Sequence, residues 1–341
     1  MTAPIVELKN VRKLYKLKGS SFLSGPGIHL RAVDDANLSI ESGEVVAVVG
    51  ESGSGKSTLG RLALHLIEPT SGTVRFKGVD LGTLSSSELR RQRRQMQMIF
   101  QDPFSSLNPH MRISDMLTEV FRAHGMHAPD ERRLRAGELL ERVGLRKAYI
   151  DRFPHQFSGG QRQRVAIARA LAVNPGFIVA DEPVSALDVS VQAQVINLMQ
   201  DIQRDLGLAM MFISHDLAVV RHIADRVAVM YLGRIIEFGR TEDVFAAPGH
   251  PYTEALLSSA PGVGRKSGQK RVILQGDPPS PISPPSGCGF RTRCRYATQA
   301  CAQSVPELQG ISDYHSVACI RSDLELQAAS QAIARLGRFA L

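Results

Sequence analysis

Two short stretches of the chain have the residue types and spacing to bind a nucleotide and its metal ion. The first, "GESGSGKST" at residues 50–58, matches the phosphate-loop pattern G-x-x-x-x-G-K-[ST]. Its glycines would let backbone N–H groups wrap a polyphosphate, Lys56 would reach the β- and γ-phosphates, and Ser57 would bind Mg²⁺. We predict that the whole loop contacts nucleotide, through Gly50, Ser52, Gly53, Ser54, Gly55, Lys56, Ser57 and Thr58.

The second stretch, "FIVADEP" at residues 177–183, ends an apolar run with two carboxylates. We predict that Asp181 completes the Mg²⁺ shell and that Glu182 polarises the attacking water as a general base. Alone, such a pair could equally cap a helix, but beside a phosphate loop the metal interpretation dominates. His215 ends a further apolar run, "MMFIS". A lone histidine is more often structural, yet at a strand end of the same sheet it could touch a γ-phosphate.

The elements that must position these residues alternate between strand and helix. "VVAVV" precedes the phosphate loop, a helix-compatible segment starts at Lys56, and "FIVA" and "LAMMFI" are further buried strands. "VQAQVINLMQDIQRDLG" has helical spacing of its apolar residues. Residues 3–16 predict an edge strand, residues 18–27 a surface loop, and residues near 85–100 and 110–150 a mostly helical lobe. The pattern predicts a parallel α/β sheet with its ligand site at the carboxyl ends of the strands.

The composition narrows the class of protein. The 341 residues carry a formal net charge of +8 and are 43% hydrophobic, which favours a globular protein with an anionic partner such as a nucleotide, nucleic acid or an acidic membrane surface. The longest apolar runs are far shorter than a membrane span, and the start lacks a signal-peptide pattern. We therefore expect the protein in the cytoplasm.

A second helix start looks suited to an anion. In "FSGGQRQRVAIARAL" at residues 157–171, a tight turn leads directly into a helix whose first N–H groups are free. The turn consists of Ser158, Gly159, Gly160 and Gln161. Because residues 50–58 already bind phosphates, a second such turn makes sense if it closes over a nucleotide held by a partner subunit.

With these motifs in order, the sequence resembles the ATP-binding cassette (ABC) family. "SGGQ" is similar to its signature motif, with Phe157 where leucine is commoner, and "FQDP" is similar to its Q-loop. The resemblance implies a P-loop ATPase core with an antiparallel β edge and a helical signature subdomain. It also implies further site residues: Gln101 in the Q-loop and in the Mg²⁺ shell, Asp188 in the D-loop "SALD", His215 as switch histidine and Tyr15 as the aromatic that stacks on adenine.

Two cassettes of this family sandwich two ATP molecules head to tail. Outside the motifs, "FQDPFSSLNPHM", "GHPYTEALLSSAP" and "LQGDPPSPISPPSGCGFRTRC" resemble the second ATPase of bacterial oligopeptide and dipeptide importers. The resemblance implies a paralogous ATPase partner, two membrane permease subunits, an extracytoplasmic binding protein, and a peripheral location on the cytoplasmic face of the inner membrane. Related importers carry nickel chelates, glutathione or antimicrobial peptides, and the sequence does not name the cargo.

The alternative from another class is a soluble ABC ATPase acting on nucleic acid. Such proteins show two cassettes in one chain, or long coiled-coil or zinc-hook insertions, and the sequence has neither. We therefore predict no nucleic-acid partner. The predicted domains are an ATPase domain at residues 1–250, with its helical subdomain at about 102–165, and a small irregular domain at residues 251–341, entered through the Pro-rich linker 276–287.

All four cysteines lie in that second domain, with the spacing C-x5-C-x6-C-x17-C. The spacing alone leaves an iron–sulfur cluster, a zinc site and unligated core thiols open, and His315 is a possible substitute ligand. The ligands would be Cys288, Cys294, Cys301 and Cys319, with three nearby arginines, 291, 293 and 295, offsetting thiolate charge. The family resemblance implies one [4Fe–4S] cluster, with Zn²⁺ as the alternative. We expect it to act as a structural clamp rather than a redox sensor, remote from the nucleotide chemistry.

Overall fold

A computed structural model describes residues 3–17, 28–102, 106–260 and 271–326. The predicted loop at 18–27, three residues after the "FQD" of the Q-loop motif, and residues 261–270 and 327–341 of the predicted second domain lie outside these ranges. Within the described ranges, none of the helices combines the length and the apolar character needed to span a bilayer.

The described strands and helices alternate through most of the chain. The strands are β1 (Val6–Lys16), β2 (His29–Ile40), β3 (Val45–Val49), β4 (Ser71–Phe76), β5 (Val79–Asp80), β6 (Met96–Ile99), β7 (Phe177–Asp181), β8 (Ala209–Ile213), β9 (Arg226–Tyr231), β10 (Arg234–Arg240), β11 (Gln309–Ser312) and β12 (His315–Val317). The helices are α1 (Lys56–Ala63), α2 (Ser86–Arg93), α3 (Ile113–Ala123), α4 (Arg132–Arg142), α5 (Gly159–Leu171), α6 (Val189–Leu206), α7 (Leu217–Ile223), α8 (Thr241–Ala246) and α9 (Pro251–Ser259).

The chain divides into two compact units. The first unit comprises residues 1–40, 45–82 and 214–341, and the second comprises residues 41–44 and 83–213. The first unit thus contains residues from both sides of position 250, and the division into domains at that position stays a prediction.

The first unit contains the predicted antiparallel edge. Its strands run in the order β2-β1-β4-β5, and Val6 of β1 lies between Ile40 of β2 and Phe76 of β4. Val6, Leu8 and Val11 are buried, and an irregularity in the register between Leu8 and Val11 keeps both on the core face despite their odd spacing.

A second set of strands in the first unit positions the phosphate loop. β3 pairs in parallel with β9, and β10, β12 and β11 follow in antiparallel order. All five residues of β3 are buried, as its unbroken run of valine and alanine predicts. Phe290 and Ala318 of the C-terminal segment pack in one hydrophobic cluster with Ala47 and Val49 of β3, so the segment shares the core of the first unit.

The second unit has the parallel strands and the helical lobe. β6, β7 and β8 pair in parallel, and every residue of β7 and β8 is buried. Helices α3, α4 and α5 confirm the predicted helical lobe, and α6 confirms the predicted amphipathic helix, burying Val195, Met199 and Ile202.

One prediction for the second unit was wrong. Residues near 85–100 were expected to be helical, but only α2 is, and Met96–Ile99 form strand β6. α2 begins with a capping box, in which Ser85 and Glu88 satisfy each other's backbone N–H groups. β6 pairs Met96 with Phe177 of β7, and this distant partner overrides the helical pattern of the local sequence.

Candidate functional site

The phosphate loop joins β3 to α1 in the first unit, in the strand–loop–helix arrangement that its motif requires. Gly50, Gly53 and Gly55 have φ angles of 150°, 78° and 104°. A Cβ on Gly50 would lie 2.2 Å from the carbonyl oxygen of Met230, and one on Gly55 would lie 2.2 Å from that of Ala32. Glycine is therefore required at both positions for conformation and for space.

The buried Lys56 side chain stabilises the conformation of the loop. Its side chain is 5% exposed, and Nζ donates hydrogen bonds to the carbonyl oxygens of Gly50 (2.8 Å) and Glu51 (3.0 Å). α1 starts after Gly55, which supplies no side-chain cap, so its first N–H groups, including those of Ser57 and Thr58, are placed to bind an anion. Ser54 is also buried, whereas Ser52 lies at the exposed rim of the loop.

Adding one methyl group to this loop should show how tightly it is built. We expect Gly55→Ala to lower the free energy of unfolding by at least about 3 kcal/mol, because φ strain and overlap with a backbone oxygen combine. Gly53→Ala is the matched control: Gly53 also has a positive φ, but nothing lies within 4 Å of its added Cβ. It should cost only about 1–2 kcal/mol in denaturant unfolding. Equal costs for the two variants would contradict this account of the loop.

Glu51, at the second position of the loop, makes contacts that the sequence did not reveal. Its backbone N–H donates to the hydroxyl of Tyr252 (2.8 Å), and its carboxylate accepts two hydrogen bonds from Arg293 (2.7 and 3.1 Å). Arg293 lies between Cys288 and Cys294, so the expectation that the cysteine segment is remote from the phosphate loop was wrong. Tyr252 is fully buried, and its own N–H donates to Nδ1 of His250, whose pKa burial lowers to about 3.

In the second unit, Asp181 and Glu182 end β7 at its carboxyl edge. Asp181 is 4% exposed, as the last residue of a fully buried strand. Glu182 has φ 45°, a left-handed conformation that a glutamate adopts only when its surroundings impose it. Its N–H donates to the Ile213 carbonyl, its carbonyl accepts from Ser185, and its carboxylate accepts from Nε2 of Gln101 at 3.0 Å. The structure thus brings together two predicted site residues, Gln101 and Glu182.

The turn before α5 has a precise cap. The Ser158 hydroxyl accepts from the Gln161 N–H (3.4 Å), and the Gln161 side chain accepts from the Ser158 N–H (3.1 Å). A Cβ on Gly159 would lie 3.3 Å from Leu187, and one on Gly160 would lie 2.3 Å from Cγ1 of Val191, so this turn packs directly on the start of α6. Asp188 caps the same end of α6 with its backbone carbonyl, which accepts from the Gln192 N–H (2.8 Å).

The two remaining nucleotide candidates lie in the first unit. His215 follows β8 and is exposed, between the buried Ser214 and Asp216, whose carboxylate caps α7. Tyr15 is near the end of β1 and is 38% exposed, with Nζ of Lys13 at 5.3 Å from its ring centre. Both side chains are accessible to a ligand, and their predicted contacts stay predictions.

The four predicted cysteine ligands line one cavity in the first unit, together with Phe290, Tyr296 and Pro306. A backbone hydrogen bond joins two of these cysteines: the Cys288 N–H donates to the Cys301 carbonyl (2.8 Å). Burial, and to a lesser degree the neighbouring thiols, raise the pKa of Cys294 to about 11 and also raise those of Cys288 and Cys319. Across the described part of the chain, no three His, Cys, Asp or Glu side chains converge closely enough to hold a single metal ion.

The other predicted partners of the cysteines have different contacts. His315 is buried with Nε2 2.7 Å from the Glu237 carboxylate, which also accepts from the N–H groups of Gly249 and His250. The three arginines were expected to offset thiolate charge. Arg293 binds Glu51 and Arg295 binds the buried Glu254 (2.9 Å), whereas Arg291 binds the backbone of Ser286 (2.8 Å) and also lines the cavity of the four thiols.

Comparisons of the sequence with known families and proteins agree with these motifs. Residues 33–185 match the ABC transporter family model, and residues 236–301 match the model of the oligopeptide/dipeptide transporter C-terminal region. The oligopeptide transport ATP-binding protein AppF of Bacillus subtilis is 50% identical over 319 residues, covering 92% of this chain and 96% of AppF. The dipeptide transport ATP-binding protein DppF of Haemophilus influenzae is 47% identical over 320 residues, covering 94% and 97%.

Solved structures of ATP-binding cassettes match the fold. The dimeric post-hydrolysis state of the cassette MJ0796, bound to ADP and Pi, has a TM-score of 0.61 at 34% identity, covering 69% of this chain and 98% of that one. The cbiO1 protein from Clostridium perfringens, part of the ABC transporter complex cbiONQ, has a TM-score of 0.61 at 30% identity, covering 71% and 91%.

Proposed function

Because the chain belongs to the oligopeptide/dipeptide branch of the ABC transporter family, we propose that it is the ATP-hydrolysing subunit that energises a bacterial peptide importer. The observation that carries this proposal is the phosphate loop, whose glycine φ angles and internal Lys56 hydrogen bonds give the strand–loop–helix shape that the motif requires. Peptide cargo is favoured over nickel chelates or glutathione, because AppF and DppF are named for oligopeptide and dipeptide transport.

We assign the nucleotide chemistry to the predicted residues. Lys56 binds the phosphates together with N–H groups of residues 50–58 other than that of Glu51, which donates to Tyr252, and Tyr15 stacks on adenine. Mg²⁺, which is bound by oxygen ligands, fits Ser57, Asp181 and Gln101, because each offers an oxygen. Glu182 takes a proton from the attacking water, and His215 contacts the γ-phosphate. The strained φ of Glu182 and its bond from Gln101 support this role, because strain of this kind is typical of active sites.

The turn at residues 158–161 completes the nucleotide site of a second subunit. Ser158, Gly159, Gly160 and Gln161, with Asp188 nearby on α6, would close over a nucleotide held by a paralogous ATPase, and that partner's turn would close over this chain's loop. The dimeric state of the related cassette MJ0796 supports this arrangement. Two permease subunits would hold the pair at the cytoplasmic face of the inner membrane, and an extracytoplasmic binding protein would deliver peptide to them.

Reconstitution tests the function directly. The chain, its paralogous ATPase and the two permeases are placed in liposomes with the binding protein. ATP hydrolysis by the complex should rise when peptide-loaded binding protein is added, and labelled peptide should accumulate. A matched complex carrying Glu182→Gln in this chain should lose uptake. Uptake of nickel chelate or glutathione but not of peptide would overturn the cargo proposal, and failure to hydrolyse ATP would overturn the enzyme proposal.

We also propose that the four thiols hold one [4Fe–4S] cluster. The donor set fits in kind: four sulfurs line one cavity, and cysteine thiolates are the ligands of iron–sulfur clusters. Four thiolates would also suit zinc, so the metal itself has to be measured. The cluster would staple a segment that has few helices or strands of its own. Because burial raises the pKa values of Cys288, Cys294 and Cys319, cluster binding must displace protons from these thiols.

Metal analysis distinguishes the two ligands. We expect about four irons and equivalent sulfide per chain after anaerobic purification, with a brown colour. Cys301→Ser should lose most of the iron, whereas Thr292→Ser, an exposed substitution in the same segment, should keep it. A colourless protein with one zinc per chain would refute the cluster proposal.

A further inference from the structure

The phosphate loop carries a negative charge that opposes its own ligand. Glu51 lies inside residues 50–58, which we assign to the triphosphate, and a carboxylate there repels phosphate at short range. Its side chain is 28% exposed, so water screens this charge only in part. A loop built to bind polyanions therefore needs the charge of Glu51 offset.

Arg293 supplies that offset from the far end of the sequence. Its guanidinium meets the Glu51 carboxylate in a bidentate ion pair (2.7 and 3.1 Å), and the side chain is only 7% exposed. The two parallel hydrogen bonds fix the orientation of the Glu51 carboxylate as well as neutralising its charge, whereas a lysine would fix that orientation less well. Burial alone would lower the pKa of Arg293, but its hydrogen bonds to Glu51 keep it raised.

Arg293 lies in the turns between Cys288 and Cys294. Arg291 N–H donates to the Cys288 carbonyl and Arg293 N–H to the Phe290 carbonyl, so residues 288–294 wind into successive tight turns. Cys288 and Cys294 face the thiol cavity, while Phe290 contacts the rings of Tyr231 and Tyr252 (5.3 and 5.4 Å). Tyr252 in turn accepts from the Glu51 N–H. Glu51 is thus contacted twice: directly by Arg293, and by Tyr252, on which Phe290 of the same segment packs.

We infer that Arg293 is a positioning residue for the phosphate loop: it holds and neutralises Glu51, so that the segment between Cys288 and Cys294 sets the affinity of the loop for nucleotide. This inference rests on the proposed function only in taking residues 50–58 as the phosphate site. It assigns the cysteine segment a part in nucleotide binding in addition to its own stability.

A double-mutant cycle tests the inference on the full chain, with Mg-ATP titrated by calorimetry. Arg293→Met should weaken ATP binding about tenfold, because Glu51 is left without its counter-charge. Glu51→Gln should not weaken it. The double variant Glu51→Gln/Arg293→Met should recover affinity to within about threefold of the wild type, because the repelling charge is gone. A merely structural role for Arg293 predicts no such recovery.

Control variants keep the result interpretable. Arg75 and Glu7 form an Arg–Glu pair in the same unit (3.7 Å), and the same cycle there should leave ATP affinity unchanged. If Arg293→Met does not fold, Arg293→Lys, which keeps the charge but loses one bond, should show a smaller loss that Glu51→Gln again removes. Wild-type affinity in Arg293→Met, or no recovery in the double variant, overturns the inference. A wild-type chain that binds no Mg-ATP would instead overturn the proposed function.

Discussion

Glu182→Gln should lower the ATP turnover of the assembled ATPase pair by about 10²–10⁴-fold, the usual contribution of a positioned general base. Glutamine has nearly the same shape and can still accept the hydrogen bond from Gln101, so the left-handed backbone at this position should remain. The affinity for Mg-ATP should stay within about threefold of the wild type. Without hydrolysis, ATP should hold the two subunits together, visible as an ATP-dependent dimer in size-exclusion chromatography.

Asp205→Asn is the control for this variant. It removes an exposed carboxylate from α6 of the same unit and should leave turnover unchanged. If Glu182→Gln hydrolysed ATP at the wild-type rate, another group would be the base, and our assignment would be wrong. If it bound no ATP, the effect would be on the fold rather than on proton transfer.

Lys56→Met should raise the dissociation constant for Mg-ATP by about 10²-fold or more, because truncating one partner of a buried charge pair costs about 2–5 kcal/mol. The reason is twofold. The ammonium is lost as a phosphate ligand, and the carbonyl oxygens of Gly50 and Glu51 lose their hydrogen-bond donor. Methionine keeps the length of the side chain and its packing.

Calorimetric titration with Mg-ATP measures this effect, and thermal unfolding without nucleotide separates it from a loss of structure. Lys147→Met removes a lysine that forms an exposed pair with Glu141 (2.9 Å), and its ATP affinity should not change. Tight ATP binding by Lys56→Met would show that the backbone N–H groups alone hold the phosphates.

Local patterns predicted the loop and the core strands correctly. Residues 50–58, the valine run of β3 and the amphipathic α6 have signals within a few neighbours along the chain, and the structure has the predicted element at each. The Ser158 cap is equally local, since both of its hydrogen bonds span three residues. Family motifs located Gln101, and its bond to Glu182, 81 residues away, agrees with that assignment.

Contacts that join distant residues could not be read in this way. Arg293 and Glu51 are 242 positions apart, and charge alone suggested that Arg293 served its neighbouring thiols. Nothing near His315 indicates that its partner is Glu237, 78 residues earlier. β6 was missed for the same reason, because its pairing with β7 depends on residues about 80 positions later.

The separation of Glu51 and Arg293 along the sequence also has a consequence for protein synthesis. The ion pair between Glu51 and Arg293 cannot form until the ribosome has added 242 residues after Glu51. At about 5–20 residues per second this takes roughly 10–50 s. During that interval the charge of Glu51 has no Arg293 to pair with. A chain truncated before the cysteine segment would stay in that state permanently. From our inference it follows that nucleotide binding at full affinity requires translation to have reached the cysteine segment.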